Sequence, residues 1–355
     1  MTDTLSQYKA VREYFGFFDR SDMGRLAITG PDRFSWLQGM VSNDVRRFQM
    51  ERSDAWYTER LQACLLDATG HLLSDLTLIN ITGNNPLSPS LTLPDRDFLL
   101  VEMPRANLEK VALLFDRYLI MEDAEIHDVS GQVACFSLQG PYVVQAWSAE
   151  PPEQHILAKI WYEACSWLAD HTASGGADVY FPTAFVASLR RSLLNADVLE
   201  VGEAALEILR VEAGIPMYGA DMDERVIALE AGLGPTHISL IKGCYVGQEI
   251  IARIDSRGHT NRALTGFVLS GESLPINSSS DKLFGPDGDS QSGWKETGRL
   301  TSVIASAPAV GNRPIALGYA RHEHRDTGTV LRVGSPDSNV QAVVTELPFY
   351  RKPSP

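Results

Sequence analysis

The sequence predicts an α+β protein with a mixed body over residues 1–263 and a small all-β barrel or sandwich over residues 264–355. Three observations carry this. A strand, a Gly-Pro step and a helix are written twice, first around Gly30-Pro31 and again around Gly140-Pro141, which points to a duplicated β-α unit. No strand leads into a G-x-G-x-x-G helix start, so the repeat is not the opening of a doubly wound dinucleotide-binding sheet. Beyond Arg262 the chain turns to short apolar runs separated by Gly, Pro and Ser turns, without a helical period.

The elements follow in order. Residues 24–29 read as a strand, and the helix that begins after Gly30-Pro31-Asp32 places Phe34, Leu37 and Val41 on one face with Trp36 and Met40 beside them. Ser42-Asn43-Asp44 ends it as a turn. Residues 55–67 and 72–81 form paired strands about Asp67-Ala68-Thr69-Gly70, and Ser74-Asp75 lies inside the second. Three prolines make 82–97 a loop before the strand 98–103. Asn107 is expected to cap an amphipathic helix that buries Leu108, Val111, Phe115 and Leu119.

The strand 133–138 precedes the second Gly-Pro step, and residues 151–171 are expected to form one helix with Ile156, Ile160, Trp161, Ala164 and Leu168 inward. A further helix over 203–213 stops at Gly214 and Pro216 and carries Arg210 and Glu212 in its last turn. An acid-bearing polar loop, 216–224, comes next. In the last region the expected strands are 264–269, 298–304, 315–320, 330–333 and 340–345, with 271–293 an exposed loop.

Composition narrows the function classes. With 355 residues, 44% hydrophobic and 21% charged, the chain is a soluble globular protein with more than one core. A net charge of -14 argues against general binding to a phosphate backbone, and the longest basic runs are only Arg46-Arg47 and Arg190-Arg191. No direct nucleic-acid partner is expected. The cysteines at 64, 135, 165 and 244 contain no C-x-x-C, which fits a reducing compartment and neither a zinc knuckle nor a thioredoxin motif. The polar N-terminus is unlike a signal or transit peptide, and no apolar run approaches ~20 residues. A cytoplasmic protein without a membrane partner is the expectation.

The run Lys242-Gly243-Cys244-Tyr245-Val246-Gly247-Gln248-Glu249 concentrates reactive groups on a loosened backbone. Lys242 beside Cys244 favours a thiolate, which makes Cys244 a candidate nucleophile or ligand; the alternative is a small buried hydrophobe. His322-Glu323-His324 offers two imidazoles and one carboxylate, short of the three or four converging ligands of a metal site, so no metal is expected.

Taken in order, Arg210-Val211-Glu212-Ala213-Gly214-Ile215-Pro216-Met217-Tyr218-Gly219, then Glu230-Ala231-Gly232-Leu233, then the Cys244 run, resemble the YgfZ-type folate-binding proteins. These are relatives of the T-protein, the aminomethyltransferase of the glycine cleavage system. Leu37-Gln38-Gly39, Asn43-Asp44, Leu138-Gln139-Gly140-Pro141, Thr301-Ser302 and Leu317-Gly318-Tyr319 extend the likeness over nearly the whole chain.

The resemblance implies a T-protein-like body of two intertwined subdomains that binds tetrahydrofolate or a one-carbon derivative, followed by a C-terminal β-barrel. Glu212 matches the acid that hydrogen-bonds the pterin, where a carboxylate can take two N–H donors side by side. From the residues alone, a salt bridge from Glu212 to Arg210 or Arg225 is the alternative. Arg210, Tyr218, Asp221, Gln248 and Arg253 are the further cofactor-binding residues it implies. T-proteins carry an acidic pair after a glycine turn; here the pair reads Ser74-Asp75, so Asp75 is either the acid-base group or a strand-end carboxylate in water. Cys244 sets the chain apart from T-proteins, which lack it. YgfZ-type proteins have it and are associated with iron–sulfur cluster assembly or repair, and through cluster enzymes with tRNA modification. Cys244, Lys242 and Asp75 are thus the catalytic candidates. The implied function is a tetrahydrofolate-binding accessory factor with iron–sulfur proteins or their assembly factors as partners. The alternative is an aminomethyltransferase or other folate-dependent one-carbon transferase.

Overall fold

The computed structural model describes residues 3–49, 60–83, 85–149, 155–271, 282–287 and 293–352, and of 161–163 only the backbone. The chain forms two compact units, one of residues 1–170, 174–202 and 234–249, the other of 171–173, 203–233 and 250–355.

The first unit opens with α1 (Thr4–Glu13), whose N-cap Asp3 accepts the Ser6 N–H at 2.8 Å. Its first sheet-forming stretch runs β1 (Gly16–Asp19), β2 (Gly24–Thr29), α2 (Arg33–Met40), β3 (Arg60–Leu66), β4 (Leu72–Ile81), β5 (Phe98–Met103), α3 (Leu108–Tyr118) and β6 (Glu125–Asp128). The second runs β7 (Val133–Gln139), α4 (Pro141–Ala149), α5 (Ile156–Glu163), β8 (Cys165–Leu168), β9 (Gly176–Pro182), α6 (Val186–Asn195) and β10 (Leu199–Glu200). These strands make two five-stranded sheets, ordered β3-β4-β5-β2-β6 and β10-β1-β7-β9-β8. Every pairing is antiparallel except β1 with β10.

The duplicated unit is real: β2 leads to α2 in one sheet and β7 leads to α4 in the other. At both joints the glycine is obligatory. Gly30 (φ +88°) and Gly140 (φ +145°) hold conformations closed to other residues, and a Cβ would strike the carbonyl oxygen of Asp123 at the first and of Tyr14 at the second.

Several elements depart from the expected ones. The helix expected over 151–171 covers only α5, and after Ala164 the chain enters β8, because Cys165 and Trp167 bury on alternate positions with period 2. Of that expectation, 151–154 and the Trp161 side chain lie outside the described residues, as do 55–59 of the first hairpin strand. Asn107 occupies the N-cap of α3 without a capping bond; its amide is engaged elsewhere, as described below. The elements α1, β1, β9 and α6 carry no expectation from sequence. In β9 nearly every residue is buried, which erases the alternation that marks a strand.

The second unit contributes α7 (Glu203–Glu212), and the first then takes back α8 (Gly234–His237). After α9 (Gln248–Arg257) come the strands β11 (Arg262–Ser270), β12 (Lys282–Pro286), β13 (Trp294–Ala307), β14 (Arg313–Arg321), β15 (Val330–Val333) and β16 (Gln341–Thr345). They close as a barrel in the order β11-β14-β13-β12-β15-β16, sealed by pairing of β11 with β16. The barrel, and not a sandwich, is the outcome, and β12 interrupts the stretch 271–293 expected to be loop throughout. Val211 of α7 packs on the barrel's Ile304, Ile315 and Leu317. Among the described residues no helix is long and apolar enough to cross a membrane.

The two kinds of glycine give a direct test. Gly140→Ala should cost about 2–3 kcal/mol through positive φ and backbone collision. Gly39→Ala, in the last turn of α2 with nothing within 4 Å of the added methyl, should instead stabilise by about 0.5–1 kcal/mol. Urea unfolding of the three proteins, followed by circular dichroism, checks both signs.

Candidate functional site

The hairpin of β3 and β4 is set by an Asx turn, in which Asp67 Oδ1 accepts the N–H groups of Thr69 at 2.8 Å and His71 at 2.9 Å. The resulting register puts Cys64 opposite Asp75 and Leu65 opposite Ser74. Ser74 is fully buried and acts as a tie: its Oγ accepts the Asn107 amide at 3.0 Å and donates to the Asp75 carbonyl at 3.0 Å. Asn107 is therefore spent on β4, not on the helix it precedes.

Asp75 is no water-facing strand end. Its Oδ1 is buried and has no hydrogen-bond partner among the described residues. Burial, with the Glu102 charge adding to it, outweighs Arg20 and the residue's own N–H and pushes its carboxyl up to about 6.

Behind it lies a buried charge network that the sequence reading missed. Arg25 is 0% exposed and reaches Glu102 through Nε at 2.9 Å and Nη2 at 2.7 Å, while Arg20 Nη2 meets the other Glu102 oxygen at 2.8 Å. Arg60 approaches the buried Asp178 at 3.6 Å, and the Tyr180 hydroxyl is buried without a partner among the described residues. The two guanidiniums hold Glu102 below its ordinary value in spite of burial. The available signal was an Arg and a Glu standing in the middle of otherwise apolar strands, at Arg25 and Glu102.

The Cys244 loop is anchored on the end of α2. Ser42 Oγ donates to the His237 carbonyl at 2.7 Å, and Asn43 Nδ2 donates to Thr236 O at 3.0 Å and Gln62 O at 2.7 Å. Lys242 then plugs the helix terminus, donating to the carbonyls of Gln38 (2.6 Å), Val41 (2.5 Å) and Asn43 (3.0 Å). A cation is favoured where helix carbonyls lack partners. All three ammonium protons are thereby used, so Lys242 is a tether for the loop as much as a neighbour of the thiol. Burial, opposed by Asp44, brings its ammonium down to about 8. On the far side Gly247 (φ +84°) presses against the β3–β4 hairpin, where a Cβ would come within 2.5 Å of Asp67 O. Cys244, held between these two fixings, is exposed, while Cys64, Cys135 and Cys165 are buried. The small-buried-hydrophobe alternative applies to those three and not to Cys244.

In the second unit, Arg210 and Asp221 saturate one another. The five N–H groups of Arg210 go to both Glu207 oxygens (2.9 and 2.5 Å), Ile215 O (2.8 Å), Asp221 Oδ2 (2.6 Å) and Ser302 Oγ (2.8 Å). Asp221 also accepts from Met217 N at 3.0 Å, Thr301 Oγ1 at 2.5 Å and Ser302 Oγ at 2.7 Å. None of Arg210 remains for Glu212, and the exposed Arg225 chelates Asp223. Glu212 is fully buried, with Oε1 accepting the Ala309 N–H at 2.9 Å and its carbonyl the Tyr350 N–H at 2.9 Å. Tyr218 is half-buried in the turn that pairs it with Met222, Gln248 is the half-buried first residue of α9, and Arg253 is exposed in its middle. Asp75, Lys242, Cys244 and Gln248 thus belong to one unit, and Glu212, Arg210, Tyr218, Asp221 and Arg253 to the other.

Residues 2–150 match the GCVT N-terminal domain and residues 262–351 the glycine cleavage T-protein C-terminal barrel domain. Similar proteins include the aminomethyltransferases of Caldanaerobacter subterraneus subsp. tengcongensis (24% identical over 98% of this chain and 88% of the relative) and Thermosynechococcus vestitus (29%, 98% and 88%). That of Nostoc sp. is 28% identical over 97% of this chain and 87% of its own. Among solved structures, the glycine cleavage system aminomethyltransferase T of Bartonella henselae has the same fold, with a TM-score of 0.75 at 19% identity over 98% of this chain and 90% of that one.

Replacing the tether tests its role. Lys242→Met leaves the three carbonyls of α2 and its following turn without a donor and should cost about 2–3 kcal/mol. The same change should alter the alkylation rate of Cys244, read by mass spectrometry of iodoacetamide-treated protein, because the loop loses its anchor.

Proposed function

With membership of the T-protein superfamily as the premise, shown by its N-terminal and barrel domains, we propose that the chain is a tetrahydrofolate-dependent one-carbon transferase of the aminomethyltransferase type. The observation that carries this is the orphaned, buried Oδ1 of Asp75 on a carboxyl raised to about 6. An unsatisfied buried oxygen fits a group that awaits a substrate N–H, and a carboxyl near 6 is ionised at neutral pH yet basic enough to hold a proton. Tetrahydrofolate supplies the amine nitrogen that takes up the one-carbon unit. Asp75 accepts the proton which that nitrogen sheds and can return one to the departing amine. Glu212, buried and oriented by the Ala309 N–H, is proposed as a pterin-binding acid within its own unit, as its match to the family's acid implies. Arg210 and Asp221 hold the end of α7 and the turn after it, and so position Glu212. Ser74, standing where T-proteins carry the other acid of the pair, keeps the Asp75 backbone in place and takes no proton.

A second reading has its own observation. Cys244 is exposed on an anchored loop, which supports the accessory role in iron–sulfur cluster assembly or repair, with the thiolate as a passing ligand. The two readings separate cleanly, because one depends on Asp75 and the other on Cys244. If Cys244→Ala abolishes complementation of cluster-enzyme activity in a deletion strain while Asp75→Asn complements fully, the accessory role stands and the transferase reading falls.

The transferase reading makes Asp75→Asn inactive and more stable. Its carboxyl moves from an ordinary 3.8 to about 6 on folding, so the native state holds the proton more tightly than the unfolded chain. The stability tied to this proton is complete below pH 3.8 and is lost as pH rises through about 6. By pH 7 the ionised carboxylate costs about 3 kcal/mol. Asp75→Asn should recover about 1–3 kcal/mol of this at pH 7 and none near pH 4, read by thermal melts at the two values. The same variant should lose at least about 100-fold in methylene transfer from an aminomethyl-lipoylated carrier protein to tetrahydrofolate. No turnover by the wild type with that donor or with an N-methylamine would reject the assignment.

A further inference from the structure

The barrel carries a cavity of about 580 Å³ at one edge of β11 and β14, a volume suited to a small ligand. Its walls bring two arginines, Arg262 and Arg321, together with two histidines and two glutamates. Arg262 and Arg321 are direct cross-strand partners in the antiparallel register, so two guanidinium-bearing side chains stand side by side on one face of the sheet. Like charges placed opposite one another are destabilising unless something answers them.

Arg262 is answered. Its Nε donates to Glu230 Oε2 at 3.0 Å and its Nη2 to Arg225 O at 2.8 Å, with the guanidinium 5.5 Å from the centre of the Tyr319 ring. Arg321 makes no hydrogen bond or ion pair among the described residues. The other carboxylate of the wall, Glu323, lies 4.0 Å from Lys295.

Two imidazoles complete the wall. His259 and His322 stack with ring centres 4.5 Å apart. His322 Nδ1 accepts an Arg325 N–H at 2.6 Å, which leaves the His322 proton on Nε2 as a donor. His324, by contrast, is buried with its ring against Gly285, so the two histidines of the His-Glu-His run do not act together.

We propose that this cavity binds the oxyanion group, phosphate or carboxylate, of a small polyanionic molecule, seated on Arg321 beside Arg262 and hydrogen-bonded by the His322 Nε2–H. The bound anion supplies the partner that the Arg321 guanidinium lacks among the described residues, and a planar guanidinium offers it two parallel donors. This site is independent of the transfer reading and lies wholly within the barrel-bearing unit.

The test is isothermal titration of the full chain at low ionic strength with inorganic phosphate and, separately, with citrate. Saturable binding of at least one anion at one site per chain is expected, and the tighter of the two identifies the preferred group. Arg321→Gln should weaken it by about tenfold or more, the loss of one charge-assisted contact. Arg351→Gln, which removes an exposed guanidinium paired with Glu346, should leave it unchanged. No saturable binding of either anion, binding untouched by Arg321→Gln, or equal weakening by Arg351→Gln would each overturn the proposal.

Discussion

A single buried carboxylate organises the first unit. Glu102, on β5, takes Arg25 from β2 and Arg20 from the turn before it, and Arg25 goes on to donate to the carbonyl of Val133 at the start of β7 at 3.1 Å. One ion triad therefore spans both five-stranded sheets. Desolvating three charges is costly, and the arrangement holds only because each is answered: Arg25 alone also reaches the carbonyls of Arg20 and Ser21. Removing one member of such a set leaves an uncompensated charge, at a cost of about 3–5 kcal/mol. The network also furnishes the surroundings of the half-buried Asp75, with Glu102 raising its carboxyl and Arg20 restraining the rise.

The contrast between the half-buried Asp75 and the buried Asp221 shows how two carboxylates come to differ in use. Asp221 accepts from Arg210, Met217, Thr301 and Ser302, and is consumed by its own fold. Asp75 leaves an oxygen unanswered. A saturated acid is a strut, and an unsaturated one has an acceptor to spare. Lys242 falls with Asp221 in this respect, since three backbone carbonyls absorb its ammonium.

Much of this was legible in the residues. Gly30 and Gly140 announced the doubled unit through their place between strand and helix, and the glycine-punctuated short strands announced the barrel. Legibility failed where burial erased periodicity, as in β9, and where apolar residues changed period without a breaker, as between α5 and β8. Of the site, Lys242 and Cys244 could be singled out by type and spacing, and Asp75 through the resemblance to T-proteins. That Asp75 is orphaned, that Lys242 is a tether, and that Arg25 and Glu102 pair behind them are long-range facts. Arg25 and Glu102 stand 77 positions apart in the chain, and only the strand order β5-β2 makes them neighbours.

The placement of α7 has a consequence for synthesis. Its buried Val211 finds its apolar partners in Ile304, Ile315 and Leu317, which leave the ribosome roughly a hundred residues, or about 5–20 s, later. During that interval the chain has already produced 234–249, the last piece of the first unit. The first unit can therefore close while α7 waits with its apolar face uncovered, and translation speed between Val211 and β14 sets how long that face is open to chaperones or to misassociation.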